Sequence, residues 1–313
     1  MSIIQSFGLI ELIFLTSLFF ISKLKIANDL RGSNQNNTSV KMHGISLIES
    51  SRLGGVLILF FFIFSNYFYK STNEISLFSD SFYFYSIILI TLIGFFDDYF
   101  GGIHYLLKFI LVSLLVITIV LLNYDYRANF TGISFFDFFL NIYFLKIFIS
   151  FFIIVGFINA SNIADGANGI VSGIGLVVFI IFYILSDEIF YLLFLKLLLV
   201  FFFYNILIGR VYLGDSGSFM LGFMISTISL KLYNNYEISA GLLACILSYP
   251  SLEVLNSLSR RLISSKNPLK PDNKHLHNMF YEFLKTRKEI FNFANSVTGL
   301  IILIIFSMPG LLI

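Results

Sequence analysis

Long apolar runs separated by short polar connections constrain the fold of this chain more than any other feature of its sequence. Hydrocarbon offers no partners to backbone N–H and C=O groups, so a membrane span must be a helix of about 20 mostly apolar residues. The runs lack the alternation of apolar and polar residues that an outer-membrane barrel requires. Ten runs are candidates for helical spans, at roughly 3–22, 53–69, 81–96, 103–122, 139–158, 168–186, 189–208, 217–233, 238–258 and 294–313. The sequence therefore predicts an all-α polytopic membrane protein with about ten transmembrane helices, forming a single domain over residues 1–313.

The composition agrees with a membrane protein. The chain is 58% hydrophobic and only 12% charged, whereas a soluble domain carries about 25% charged residues. The formal net charge is +2, and no basic run is dense enough to follow a phosphate backbone. We therefore expect the lipid bilayer as a partner and exclude nucleic acid. The sequence does not indicate an oligomeric state.

Basic residues predict the orientation of the spans. Of the 20 lysines and arginines, 14 lie in the connections after the first and ninth runs or at Arg210, between the seventh and eighth runs. Basic residues collect on the cytoplasmic side of membrane proteins. We therefore expect these connections to be cytoplasmic, including a loop at 259–290, and both termini to be periplasmic.

Two adjacent carboxylates end the third run, in the segment GFFDDYFGG (94–102). The charges of Asp97 and Asp98 repel each other, and a divalent cation or a shared proton relieves that repulsion. We expect one aspartate to face a metal ion and the other to handle a proton of a substrate phosphate or of a neighbouring base. A solvated helix end is an alternative explanation for the pair on its own.

Asn159, Asn162, Asp165 and Asn168 recur every third residue in the segment GFINASNIADGANGI (156–170). A helix continued through this segment would place all four on one face. Amide and carboxylate oxygens suit a hard cation, while amide N–H groups suit a nucleobase or sugar hydroxyls. The segment is therefore a candidate substrate and metal site, although a polar hairpin between two membrane helices would also carry such residues.

The segment VYLGDSGSF (211–219) predicts the N-terminus of a helix. Asp215 and Ser216 are candidate caps, and the exposed backbone N–H groups at such an end favour phosphate. A plain capped helix explains the motif equally well. The position of Asp215 among glycines near the membrane surface also suits a metal ligand.

His275 and His277 are two residues apart in the basic segment KPDNKHLHNMF (270–280). Histidine beside lysine suits the binding of a diphosphate or proton exchange near neutral pH. A zinc site is disfavoured because no thiolate or third histidine stands nearby at metal-ligand spacing.

Two ionisable residues fall within predicted spans. Lys108 lies at the start of the fourth run, where it either extends to the interface or contacts a phosphate. Pro250 predicts a kink or break in the ninth run. Glu253, just after it, is expected to be functional or to pair with a basic residue such as Arg260.

The predicted orientation places all four polar clusters on the cytoplasmic face. A transporter could use the same carboxylates as ion sites, but it would need acids near the middle of the bilayer and paired broken helices. Convergence at one membrane surface favours an enzyme facing the cytoplasm, with the ion-coupled transporter as the alternative.

The motifs DDxxxG, NxxNxxDGxxG, GDSGS and HxH, in this order, resemble those of the polyprenyl-phosphate N-acetylhexosamine-1-phosphate transferases of glycosyltransferase family 4. The resemblance runs from SSRLGG (50–55) to HLHN (275–278). It implies a multi-pass enzyme of the bacterial inner membrane that transfers an N-acetylhexosamine 1-phosphate from a UDP-sugar to undecaprenyl phosphate. Release of UMP, a requirement for Mg²⁺ or Mn²⁺, and initiation of O-antigen, capsule or cell-wall glycans are also implied.

The resemblance assigns some residues to the metal and the lipid phosphate. Asp215 matches a magnesium ligand, and Asn162 lies close enough in the pattern to assist. Asp97 and Asp98 match paired aspartates placed at the metal and at the attacking lipid phosphate. Lys108 matches a lysine that contacts phosphate.

The resemblance assigns other residues to the nucleotide sugar. Asn205 matches an asparagine near the uracil, and Asn168 stands where the nucleoside is also bound. His275 and His277 match the histidines that steady the diphosphate. Asn159 and Asp165 fall in the same motif and are expected to bind substrate and to act in catalysis, respectively.

Three departures from the family pattern bear on the substrate. Asn168 replaces a second aspartate, Asn278 follows the HxH pair where many relatives have another histidine, and Glu253 stands where aspartate is usual. The HLHN form favours an initiator of O-antigen or capsule over the muramoyl-pentapeptide branch. The sequence leaves open which sugar is used and whether the lipid attacks directly or through a phospho-aspartate.

Overall fold

The computed structural model describes residues 3–24, 27, 50–73, 81–265, 274–287 and 293–312. Parts of the predicted loop 259–290, at 266–273 and 288–290, lie outside the described residues, as do several basic residues that predict the orientation. Over the described ranges the chain forms thirteen α-helices: α1 Ile3–Ile21, α2 Gly54–Asn73, α3 Ser81–Tyr99, α4 Tyr105–Leu122, α5 Ser134–Leu140, α6 Tyr143–Ala164, α7 Ile170–Ser186, α8 Ile189–Leu207, α9 Gly214–Asn234, α10 Ala240–Ile246, α11 Ser248–Ile263, α12 Leu276–Lys285 and α13 Ala294–Phe306.

The helices fit a polytopic membrane protein. Within the described part of the chain, α3, α4, α6 and α8 are long and apolar enough to cross a bilayer, and the bent pair α10–α11 counts as a fifth candidate. Shorter apolar helices cover Gly8–Ile21, Gly54–Phe68, Ile170–Ser186 and Ala294–Phe306. A helix occupies each of the ten predicted runs. The number of spans and the side of each terminus stay predictions.

Three helix bounds differ from the predicted runs because a hydrogen-bonded helix continues into polar sequence when protein surrounds it. Helix α3 extends to Tyr99, so Asp97 and Asp98 lie in its last turn rather than after it. Helix α6 covers Tyr143–Ala164 instead of 139–158, so Asn159 and Asn162 are helical. Helix α9 begins at Gly214, ahead of the predicted 217.

Helix α9 is the centre of the bundle. It is buried along almost its whole length and packs against α2, α3, α6 and α7. Two of its hydroxyl groups bond within the helix, where Ser226 Oγ donates to the carbonyl of Gly222 and Thr227 Oγ1 to that of Phe223. A helix enclosed by protein tolerates such residues, which explains why α9 is less apolar than the candidate spans α3, α4, α6 and α8.

Glycines let two neighbours approach α9 closely. A side chain on Gly94 of α3 would collide with the backbone of Asp215 and Ser216, and one on Gly55 of α2 with the backbone of Gly217. These close contacts bring the end of α3, with its paired aspartates, directly against the start of α9.

We expect Gly94→Ala to lower the free energy of unfolding by about 1–3 kcal/mol, because the added methyl group would have to displace backbone. Thermal unfolding in detergent measures the loss. The matched control is Gly156→Ala on α6, where an added Cβ meets nothing within 4 Å. Equal stability of the two variants would contradict the close α3–α9 contact.

The chain breaks between α10 and α11 with a bend of 72°. Pro250 lies in the first turn of α11, where its missing N–H removes no helical hydrogen bond. The predicted break near Pro250 is confirmed, and it lies at Leu247. Helix α11 then packs against α6, which carries Asn159 and Asn162.

Candidate active site

A single ammonium group bridges two of the predicted site carboxylates. Lys108 Nζ lies 3.1 Å from Asp97 Oδ2 and 2.8 Å from Asp215 Oδ2. Both carboxylates are buried, and the Lys108 side chain is 16% exposed. Its Nζ also lies 5.3 Å from the ring centroid of Phe219. The ends of α3, α4 and α9 therefore share one centre in which two negative charges face one positive charge.

Asp98 caps the N-terminus of α9 from a neighbouring helix. Its Oδ1 accepts the N–H of Asp215 at 3.1 Å, and its Oδ2 accepts the N–H of Ser216 at 3.0 Å. These are N–H groups that a helix leaves without an internal partner. The prediction that Asp215 and Ser216 cap α9 is therefore wrong, because the Asp215 carboxylate turns toward Lys108 and the closely packed α3 supplies the cap.

Asp97 is held in place by the loop that follows it. Its Oδ1 accepts the N–H of Ile103 at 2.7 Å, while its backbone carbonyl accepts the N–H of Gly102 at 2.9 Å. One carboxylate oxygen is thus fixed by the loop and the other faces Lys108. Contacts within the protein therefore preorganise this aspartate.

The asparagine-rich segment is helical only in part. Helix α6 ends at Ala164, and Asn162 Nδ2 donates to Ser218 Oγ at 3.1 Å, which places Asn162 beside the start of α9. Asn159 Nδ2 donates to the carbonyl of Val155 on its own helix. Of the two helical amides, only Asn162 reaches the shared centre through a hydrogen bond.

Asn168 does not share the helical face of the other three residues, so that expectation is wrong. The chain leaves the helix before it, and Gly169 adopts a left-handed conformation with φ of 83°. The backbone N–H of Asn168 donates to Asn295 Oδ1 at 2.7 Å, and its Nδ2 to Ser296 Oγ at 3.3 Å. Helix α13 thus holds the turn that contains Asn168.

Asn205 ties the same turn to the end of α8. Its Oδ1 accepts the N–H of Gly169 at 2.8 Å, and its Nδ2 donates to the carbonyl of Val211 at 2.9 Å. Both polar atoms therefore contact backbone and hold the fold together. The predicted nucleoside-binding roles of Asn168 and Asn205 stay predictions.

Asp165 directly follows α6 and is partly buried. Burial, together with the nearby carboxylates of Asp215 and Asp98, raises the pKa of Asp165 well above its usual range, while Arg52 opposes the shift. Asp165 therefore belongs to the same electrostatic cluster as the acids at the ends of α3 and α9.

The histidine pair lies beside the turn that follows α6. The ring of His277 lies against Gly166, where a side chain would collide with Nε2. His275 Nδ1 lies 3.0 Å from Glu253 Oε2. Glu253 in α11 thus has a histidine partner, whereas the sequence suggests a pairing with Arg260.

Three residues of this region receive no role from the sequence, although Ser218 falls within the GDSGS motif. Arg52 reads there only as a loop cation, but it is buried with Nη1 4.0 Å from Asp98 Oδ1. Ser218 contacts Asn162, and the Tyr249 hydroxyl lies 2.8 Å from His277 Nδ1. For Arg52 a signal is present, because it lies in the stretch SSRLGG (50–55), where the family resemblance begins.

The oxygen chemistry of the centre fits a hard divalent cation. Among the described residues, no group of three or more His, Cys, Asp and Glu side chains is arranged as a metal site. Asp97 and Asp215 nevertheless both direct a carboxylate oxygen to one cation, the Lys108 ammonium, and Asn162 adds an amide nearby. Carboxylate and amide oxygens are the ligands that Mg²⁺ accepts.

Part of the chain is similar to known sugar-phosphate transferases. Residues 81–233 match the model of Glycosyl transferase family 4. A protein of Thermotoga maritima named undecaprenyl-phosphate alpha-N-acetylglucosaminyl 1-phosphate transferase is 37% identical over 132 residues, which are 42% of this chain and 42% of the relative. A protein of Staphylococcus aureus named phospho-N-acetylmuramoyl-pentapeptide-transferase is 30% identical over 204 residues, 59% of this chain and 63% of the relative.

The matches confirm the resemblance that the motifs indicate. The family segment contains the paired aspartates, the asparagine-rich stretch and the GDSGS motif, while the histidine pair lies beyond it. The chain spans less than two thirds of the length of either relative.

Proposed function

We propose that the protein transfers an N-acetylhexosamine 1-phosphate from a UDP-sugar to undecaprenyl phosphate and releases UMP, because residues 81–233 match the model of Glycosyl transferase family 4. The observation that carries the proposal is the buried centre in which Lys108 bridges Asp97 and Asp215. Names of relatives that act on undecaprenyl phosphate or transfer a phospho-sugar support the choice of substrates.

The charges of the centre suit this reaction. An anionic lipid phosphate must approach an anionic diphosphate, so positive charge has to offset their repulsion. The Lys108 ammonium supplies one such charge at the ends of three helices. Asp97, Asp215 and Asn162 would hold Mg²⁺, or Mn²⁺ in its place, and the ion would stabilise the charge that develops on the leaving UMP.

The other residues bind and orient. Asp98 holds the N-terminus of α9 against α3, so that Asp215 keeps its place beside Lys108. His275 and His277 are assigned to the diphosphate. The new bond forms between an oxygen of the lipid phosphate and the phosphorus that carries the sugar, and the bond from that phosphorus to UMP breaks.

The protein is proposed to lie in the bacterial inner membrane with this centre facing the cytoplasm and both termini on the other side. Every polar cluster lies at a helix end. The clusters lie at the C-terminal ends of α3 and α6 and at the N-terminal ends of α4, α9 and α12. A lipid phosphate held at the interface could reach such a position while its polyprenyl chain stays among apolar helices. Initiation of an O-antigen, capsule or cell-wall glycan is the proposed role.

The test is an assay of purified protein with undecaprenyl phosphate, Mg²⁺ and a panel of UDP-N-acetylhexosamines. We expect UMP release and a lipid product whose mass identifies the sugar. Reactions without lipid acceptor and reactions with a chelator are the controls. Absence of a lipid diphosphate product with every UDP-sugar would contradict the proposal.

The transporter alternative receives no support from these observations. Over the described residues one bent helix pair is present, whereas transporter sites are built from paired broken helices. The four aspartates of the site gather at helix ends rather than within the spans. Solute flux without UMP release would be the result that favours a transporter.

A further inference from the structure

Helix α11 presents two polar side chains to the start of α12. Tyr249 and Glu253 are one turn apart and are 1% and 4% exposed. The Tyr249 hydroxyl lies 2.8 Å from Nδ1 of His277, and Glu253 Oε2 lies 3.0 Å from Nδ1 of His275. Each histidine of the pair is therefore engaged through the same ring nitrogen by a residue of one helix.

Glu253 makes a second contact that fixes the backbone of the motif. Its Oε1 accepts the N–H of Leu276, the first residue of α12, at 2.8 Å. That N–H has no partner within the helix, so the carboxylate serves as a cap. One side chain thus sets both where α12 begins and how the His275 ring is turned. Because a carboxylate only accepts hydrogen bonds, Nδ1 of His275 carries the proton of this contact.

The two rings are also held against each other and against the site. Their centroids are 5.3 Å apart, and their planes differ by 17°. The edge of His277 that carries Nε2 lies against Gly166, next to Asp165, at a distance that leaves no room for a side chain. His277 is therefore confined between the Tyr249 hydroxyl and the backbone of the turn after α6.

We propose that Tyr249 and Glu253 are positioning residues for the histidine pair. By engaging both Nδ1 atoms they fix the two rings, so that His277 stays packed against Gly166 and the Nε2 edge of His275, directed away from α11, presents a hydrogen-bonding atom to the diphosphate of the nucleotide sugar. The identity of this ligand rests on the proposed function, whereas the fixed ring geometry does not. Neither positioning residue touches substrate.

The bend before α11 makes this arrangement possible. The break of 72° turns α11 away from the direction of α10 and packs it along α6. A straight continuation would give α11 a different path. The bend therefore places Tyr249 and Glu253 of α11 beside the two histidines.

The variants are Tyr249→Phe and Glu253→Gln, with Glu253→Asp as the conservative rescue, because it keeps a carboxylate. The matched control is Tyr83→Phe, which removes a buried hydroxyl 2.8 Å from Thr227 Oγ1, away from the histidines. The first measurement is ¹⁵N NMR of the histidine side chains, which is practical because the chain has four histidines. We expect a proton on Nδ1 of His275, and we expect the His275 and His277 ring signals to change in Glu253→Gln and Tyr249→Phe respectively.

The second measurement is steady-state kinetics. We expect KM for the UDP-sugar to rise about tenfold in each variant, the factor that one hydrogen bond involving a charged group supplies. KM for undecaprenyl phosphate should be unchanged, and Glu253→Asp should recover part of the loss. A variant that only weakened the fold would lower the amount of active enzyme without this selective change in KM.

The outcomes separate this inference from the proposed function. Ring signals that are unchanged in both variants would overturn the positioning role, even if the protein is an active transferase. Changed ring signals in a protein that releases no UMP from any UDP-sugar would support the positioning geometry and overturn the assigned ligand. If Glu253→Gln does not fold, Tyr249→Phe decides alone, because it removes a single hydroxyl group.

Discussion

Replacing Asp215 with asparagine is expected to lower Mg²⁺-dependent UMP release by about a thousandfold, the upper part of the range seen when one charge-stabilising group is removed from an active site. The Asp215 carboxylate is buried and lies 2.8 Å from Lys108 Nζ, so its charge helps to set the potential of the whole centre. The same order of loss is expected for Asp97→Asn, which removes the other charge facing this ammonium. The measurement is turnover of a UDP-N-acetylhexosamine by purified variants.

Asp98→Asn is expected to be inactive for a different reason. An asparagine can still accept a hydrogen bond at the N-terminus of α9, so the cap is weakened rather than lost. The negative charge beside Asp215 and Arg52 disappears, and the helix start is no longer held by two carboxylate oxygens.

The control for all three variants is Asp187→Asn, in an exposed turn with φ of 52°, which asparagine tolerates. Near-normal turnover in Asp97→Asn, Asp98→Asn and Asp215→Asn would end the enzyme proposal.

Lys108→Met is expected to reduce the free energy of unfolding by about 3–5 kcal/mol in a buffer without divalent cations, because it leaves two buried carboxylates without their shared cation. Addition of Mg²⁺ should then raise the melting temperature of this variant more than that of the unaltered protein, since a bound ion would replace the missing charge. Thermal unfolding with and without Mg²⁺, in the absence of substrates, measures both effects.

The control for this experiment is Lys285→Met. Lys285 pairs with the exposed Glu282 one turn away, and its loss should change stability by no more than about 0.5 kcal/mol. An equal response to Mg²⁺ in Lys108→Met and the unaltered protein would contradict a cation site at Asp97 and Asp215. It would leave the role of Lys108 toward phosphate to be tested by turnover alone.

Hydropathy is sufficient to predict a helix at each apolar run. In lipid, the backbone N–H and C=O groups of a segment must hydrogen-bond within that segment, and only a helix achieves this. The chemistry of the site is also evident in part, since Asp97, Asp215 and Lys108 are expensive to bury unless they meet one another. The motif spacing alone does not predict that these three side chains meet, because they lie on three different helices.

The pairings that sequence could not reveal depend on close approach between distant segments. Asp98 caps α9 only because Gly94 allows α3 to touch its backbone. Asn205 and Gly169 meet only after α8 and the turn before α7 have packed together. Glu253 finds His275 because α11 is bent away from α10. In each case the residue type suggested a polar role, while the partner was decided by tertiary packing.

The enclosure of α9 by its neighbours limits which substitutions this helix tolerates. Because α9 is buried along almost its whole length, its residues are constrained by packing against the neighbouring helices rather than by contact with lipid. Ser226 and Thr227 are tolerated there because their hydroxyl groups donate to carbonyls of the same helix. Substitutions there are limited in size by the close helix contacts, and a new polar group would need a hydrogen-bond partner within the protein. The helix at the centre of the bundle is therefore less apolar than the four helices that pack around it.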